Sequence, residues 1–339
     1  MTLDLTGGMP PEADEVTAET PGSPAYREGV SMWIWDGAGR LALPRIGVEA
    51  VGATWDESRY LSLNLAFPDG RVLVAHAEHP ALPAADGRGL PRVLGTGPLR
   101  FVCVEPFTHW RLVFDGHAAP TTVPDQIAGR AARGAALTAA ATVPLRIEVD
   151  GRMAAPPWVQ GTHDPEGRFI PGEQRFEQLF TATGTVSIDG VTTGFEGGGL
   201  RIHRKGGGRS DYADFFGHCW QSALFPGGRA FGFIHYRPRP DGSVKYHEGW
   251  VLDGGAVLPA RVVDTPWLGD MRSGGEDVSF TLRAPEGDIA IEAETFASAF
   301  TPERPIGGGR TFPDLQQGIA RYRWDGEESY GMIERSIRR

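Results

Sequence analysis

The chain has 339 residues, 40% hydrophobic and 22% charged, the composition of an ordinary folded protein with a buried core. A net charge of −10 with no basic block argues against nucleic acid or an anionic membrane surface as the main partner. No apolar run approaches the ~18–20 residues of a membrane-spanning helix, and no secretion signal is visible at the start. The two cysteines, Cys103 and Cys219, form no CxxC pair and read as buried thiols of a reduced, cytoplasmic protein.

Residues 1–24 are acidic, proline-bearing and aperiodic, and predict a flexible leader. After them, Gly and Pro punctuate the chain at short intervals. Asp-Gly recurs from Asp36 to Asp325, often between alternating apolar stretches, and this dipeptide tolerates the positive φ of tight hairpin turns. Sustained helix formers occur only from Ile127 to Ala141, where they predict a short surface helix or connecting segment. The fold class predicted is all-β, with many antiparallel strands.

Phe67-Pro-Asp-Gly-Arg71 and Phe225-Pro-Gly-Gly-Arg229 echo one another, each followed by an apolar strand with a His near its end, His76 and His235. The offset fits two β domains in tandem. Pro156-Pro157 marks the junction, giving a first domain over 25–160 and a second over 161–339.

The segment from Arg201 to Tyr236 concentrates titratable groups in strand-like sequence. His203, His218 and His235 lie there with Arg201, Asp211 and Trp220. Buried polar groups of this kind are costly unless paired or used. His218, in Gly217-His-Cys-Trp220, is the first candidate for proton transfer. Glu177, in an apolar barrel, would have a raised pKa and could act as a general acid, with Gln178 beside it. Arg204 to Gly208 reads as a solvated hairpin loop. His235 shares a strand face with Phe233, while His247 and Glu248 must point to opposite faces. A three-His metal site from His218, His235 and His247 is not demanded by their spacing, and no metal is assigned. Neither a GxSxG elbow nor a dinucleotide-binding GxGxxG is present.

Several runs resemble the AttH/CrtC-like superfamily, which includes carotenoid 1,2-hydratases. They are Phe176-Glu-Gln178, Gly184 to Gly190, Gly199-Leu-Arg-Ile-His203, Ala320 to Gly326 and Tyr330 to Arg335, with Trp33-Ile-Trp35 and Glu105-Pro106…Trp110 in the first half. The resemblance implies two lipocalin-like β-barrel domains acting on hydrophobic molecules by hydration, dehydration or cyclisation without a redox cofactor. Where that family often shows Arg-Asp-His-Ser-Trp, this chain has Arg201-Ile-His-Arg-Lys205, so Asp211 or Glu177 would have to supply the carboxylate.

The expectation is therefore a cofactor-independent lyase or isomerase for a hydrophobic isoprenoid, steroid-like or aromatic molecule. Its proton carriers are His218, Glu177, Asp211 and His203. Arg201, Trp220, Phe233, His235 and Gln178 contact the substrate. The alternative is a lipocalin-like carrier without chemistry. Oligomeric state stays open, a homodimer being one way to cover sheet edges.

Overall fold

The computed structural model describes residues 3–131, 141–162, 173–207, 215–307 and 310–338. Strands dominate them, as the period-2 patterning requires. The first sheet contains β1 (Arg27–Asp36), β2 (Ala42–Val51), β3 (Ser58–Ala66), β4 (Arg71–Pro80), β5 (Val93–Thr96), β6 (Leu99–Glu105), β7 (His109–Thr122), β8 (Val143–Met153), β9 (Trp158–Val159), β10 (Glu173–Ile188) and β11 (Val191–Gly206). Pairing runs β4-β3-β2-β1-β11-β10-β8-β7-β6-β5. β4 also pairs with β7, from Arg71↔Thr122 to Val74↔Ala119, which closes the path on itself.

The second unit is a closed antiparallel barrel. Its strands are β12 (Gly217–Leu224), β13 (Ala230–Tyr236), β14 (His247–Asp253), β15 (Ala256–Val262), β16 (Phe280–Ala284), β17 (Gly287–Thr301), β20 (Asp314–Trp324) and β21 (Glu327–Ile337). The hairpin β18 (Arg304–Gly307) and β19 (Arg310–Phe312) stands outside it.

Three apolar layers hold these parts together. Along β1, Val30, Met32 and Ile34 fill the first barrel, while Trp33 and Trp35 face outward. Along β12, Cys219 and Ala223 fill the second barrel, and Trp220 faces outward to meet Trp33 with ring centroids 5.0 Å apart. Both strands are buried on both faces, so strict alternation builds a barrel interior and an inter-barrel joint from the same residues.

The Phe-Pro echo is structural. In both copies the Phe amide donates to the Arg carbonyl (3.0 and 2.8 Å), and Gly70 and Gly228 take φ of 84° and 86°. Asp189-Gly190 and Asp325-Gly326 are also tight turns, with positive φ at both positions. Asp115-Gly116 and Asp150-Gly151, by contrast, run inside β7 and β8. There the missing Cβ makes room for aromatic neighbours, Phe114 against Gly116 and Phe180 against Gly151. Of the segment expected to be helical over 127–141, residues 132–140 lie outside the described residues; a short helix, α1 (Val123–Ile127), ends where that segment begins.

Two expectations about chain division differ from the hydrogen bonding. Residues 173–206 were counted with the second domain, yet β10 and β11 are paired between β8 and β1 and complete the first barrel. The last strand of the first sheet ends at Gly206 and the first strand of the second barrel begins at Gly217. The leader is not loose in its described part. Asp14 is fully buried, accepting from Phe107 N (2.7 Å), Trp110 Nε1 (2.9 Å) and Arg201 Nη1 (2.6 Å). Gln178 Nε2 donates to Leu5 O at 2.9 Å, and Lys205 Nζ to Glu15 O.

Candidate active site between the barrels

Strand alternation sorts the predicted site residues into three places. Arg201, His203 and Gln178 point into the first barrel. Arg201 bonds Asp14 and Gln178 Oε1 (3.0 Å), and stacks over Trp110 at 4.6 Å. His203 bridges Glu28 (2.9 Å) and Asp14 (3.5 Å). Among the described residues, their hydrogen bonds run to one another, to Glu28, to the leader and to the Phe107 and Ala155 carbonyls. Burial alone would raise Asp14, but Arg201, His203 and the Phe107 amide overcome it and hold the carboxyl at about 2.

Phe233 and His235 point into the second barrel. Phe233 packs on Phe280 at 4.8 Å, and His235 stacks on His247 at 3.8 Å. Burial, then the neighbouring His247 and Arg261, push His235 down to about 3. His218 occupies the opposite face of the same sheet, so the three histidines do not converge, and no metal-ligand cluster occurs among the described residues. Asp211 lies outside the described residues.

His218 and Trp220 alone of the predicted set line a cavity of about 80 Å³ at the joint. The first barrel contributes Trp33, Arg45, Arg175 and Arg204, while Phe215, Tyr236 and Phe312 add aromatic walls. Arg204, expected in a solvated loop, instead belongs to β11, with its side chain only 11% exposed. Register sets His218 directly opposite Ser336 on β21, with Glu334 two residues away on the same face. His218 Nδ1 lies 2.6 Å from Ser336 Oγ and Nε2 lies 3.2 Å from Glu334 Oε1.

Glu334 is the acid the sequence reading missed. Burial alone would raise it, but the His218 hydrogen bond and charge, Arg45 and Gln317 together hold it at about 2, so it is a fixed negative charge beside the imidazole. Gln317 Nε2 donates to its other oxygen at 2.7 Å. Asn64, the only asparagine of the chain, donates to Gln317 Oε1 at 3.2 Å. Asn64 Oδ1 lies 3.2 Å from His76 Nε2. With a donor at every link, this chain ties both barrels to the carboxylate and favours the His218 tautomer that carries its proton on Nε2. Nδ1 is then the basic nitrogen.

Glu177 sits one layer behind the cavity wall. It accepts from Arg175 Nη2 (2.6 Å) and Trp220 Nε1 (3.0 Å), two wall residues. Burial, reinforced by Glu248, raises it to about 7 against the pull of Arg175, Trp220 and Arg204. Glu248 in turn accepts from Tyr246 and from Gly161 N.

These shifts give the stability a pH dependence of definite sign. Asp14 and Glu334 are depressed in the folded state, so their contribution is present above their unfolded values. It is lost as pH falls from about 4 towards about 2. Glu177 is raised, so its contribution is present below its unfolded value and fades as pH rises through about 7. Urea titrations of wild type and Glu177→Gln should diverge between about pH 5 and pH 8, the variant losing less stability. Parallel curves would place an ordinary carboxyl there.

A model of the DUF7064 family, a domain of unknown function, matches residues 11–339. No curated protein sequence matches. The fold is that of an AttH-assigned protein from Nitrosomonas europaea, with 13% identity and a TM-score of 0.58 over 92% of this chain and 93% of that one. CghA, solved with Sch210972, gives 12% identity and a TM-score of 0.60 over 93% and 89%. Kievitone hydratase from Nectria haematococca gives 9% identity and a TM-score of 0.47. The first two likenesses show the expected AttH-like, lipocalin-like β architecture. No helix among the described residues is long and apolar enough to cross a membrane.

Proposed function

We propose, for a chain that belongs to the DUF7064 family, that the cavity between the barrels is the active site of a lyase or isomerase working by acid/base chemistry on an apolar small molecule. The observation that carries this reading is His218 held between Ser336 and an ionised, buried Glu334 on an aromatic-walled cavity. The carboxylate fixed on Nε2 orients the imidazole, which can take a proton and return it to another atom. Trp33, Trp220 and Tyr236 supply aromatic walls for an apolar ligand. CghA, which shares the fold, was solved with the compound Sch210972, which supports a small organic ligand here.

Glu177 acts through Trp220 and Arg175 as a positioning residue, since it does not itself line the cavity. At about 80 Å³ the cavity is smaller than the ~300–1,000 Å³ of common ligand sites.

The test is incubation of the protein with a panel of apolar alkenes, enones and alcohols, followed by mass spectrometry. A compound should gain water, lose water or isomerise. Compounds that bind but emerge unchanged throughout the panel would make the protein a carrier instead.

A further inference from the structure

Trp33 Nε1 and Arg45 Nε are buried donors on the cavity wall without a hydrogen-bond partner among the described residues. Trp33 is 1% exposed. Buried N–H groups are almost always paired, so an orphan beside a cavity marks the place of an absent acceptor. Trp158 and Trp250 also leave Nε1 unpaired, but neither lines this cavity, whereas Trp33 and Arg45 both do. Trp220, packed edge-on against Trp33, shows the contrast: its Nε1 is satisfied by Glu177.

The backbone is bent to present Arg45. Register slips between Ala42 and Ile46 in the β2–β3 pairing, and Arg45 takes φ of 85°, a region that a non-Gly residue rarely adopts. A bulge of this kind re-aims a side chain. Here it brings the guanidinium to 5.8 Å from the Trp33 ring, with Nη2 3.6 Å from Glu49 and Nε left over.

Resting on the acid/base reading above, we infer that Trp33 Nε1 and Arg45 Nε form an oxyanion-holding pair and that the substrate is an apolar carbonyl compound reacting through its enolate. When His218 takes a proton from the carbon beside a carbonyl, the C–H electron pair becomes a C=C bond and the carbonyl π pair moves onto oxygen. That oxygen needs preorganised donors in a water-poor site, and two N–H groups without a partner among the described residues provide them. Arg175 and Arg204 on the same wall add positive potential. Returning the proton to a different carbon, or expelling a β-hydroxyl as water once it is protonated, completes an isomerisation or a dehydration.

The probe is 4-nitrophenol, whose phenolate mimics an enolate oxygen on an apolar ring, with nitrobenzene as the partner lacking that oxygen. Wild type should bind the phenolate at least about tenfold more tightly than nitrobenzene, and the absorbance titration of bound 4-nitrophenol should shift to lower pH. Trp33→Phe keeps an aromatic side chain and removes the donor; Arg45→Lys keeps the charge and removes Nε. Each should weaken phenolate binding by about 10- to 100-fold, the loss expected for a hydrogen bond to a charged group, and leave nitrobenzene binding unchanged. Equal affinity of wild type for both compounds, no phenolate binding, or phenolate binding unchanged in both variants would overturn the inference. The probe does not react, so its binding is independent of turnover. Turnover with no donor effect would sink the oxyanion pair alone, and donor-dependent binding with an inert panel would sink the acid/base reading alone.

Discussion

Replacing His218 with Ala is expected to lower turnover by about 10²- to 10⁴-fold while leaving ligand affinity largely intact. That is the usual loss when a positioned proton-transfer group is removed. The imidazole makes two of the polar contacts at the joint, to Ser336 and Glu334, but the apolar wall around it is unchanged by the substitution. Glu334→Gln should reproduce part of this loss, because the imidazolium then lacks its counter-charge. Glu177→Gln should cost far less, since a Gln carbonyl can still accept from Trp220 Nε1. Its signature is instead a rate–pH inflection near about 7 that disappears in the variant. Arg175, Arg204, Glu248 and Tyr246 surround that carboxyl, and the inflection belongs to the group they form together. Steady-state kinetics of the three variants across pH separates proton carrier, counter-charge and positioning residue. A His218→Ala enzyme with normal kcat would remove the proposed base.

Arg201→Met is expected to destabilise the fold by about 3–5 kcal/mol, the effect of removing one partner from a buried ion pair. Arg201 and Asp14 are both fully buried 2.6 Å apart, and losing the guanidinium strands the Asp14 charge within a barrel already holding Glu28. Asp14→Ala should be costly for the mirror reason, and the double variant should cost less than the two losses added together. Guanidinium denaturation of the four proteins gives the cycle. The same experiment decides Arg201's role: a substrate anchor would show in ligand affinity with little change in the denaturation midpoint.

The Arg201 case shows where sequence reading works and where it ends. Burial and pairing of Arg201 were legible from its place in an alternating strand. Its partner was not, because Asp14 lies 187 residues away in a segment without periodicity. Likewise the alternation of Gly217 to Leu224 and Ala230 to Tyr236 left His218 and His235 free to share a site; only the β12–β13 register, which sets Cys219 opposite His235, puts them on opposite faces. Period 2 gives faces but not neighbours. For that reason 173–206, which reads as the opening of a second domain, pairs backwards into the first. Glu334 stood in plain view in Tyr330 to Arg335. Its signal was its position two residues before Ser336 on a strand with buried polar positions, and only the β12–β21 register, which spans 116 residues, makes it the partner of His218. The turns were legible wherever both turn residues needed positive φ, as at Asp189-Gly190. They misled at Asp150-Gly151, where the glycine serves the Phe180 ring.

The central claim is that His218 moves protons at the joint between the barrels. The most direct measurement is mass spectrometry of a lipophilic cell extract incubated in D2O with wild type and, separately, with His218→Ala. Compounds should acquire carbon-bound deuterium, or gain or lose water, with wild type and remain unchanged with the variant. The same labelled products from both proteins, or compounds retained by wild type with no label and no change in mass, would contradict it.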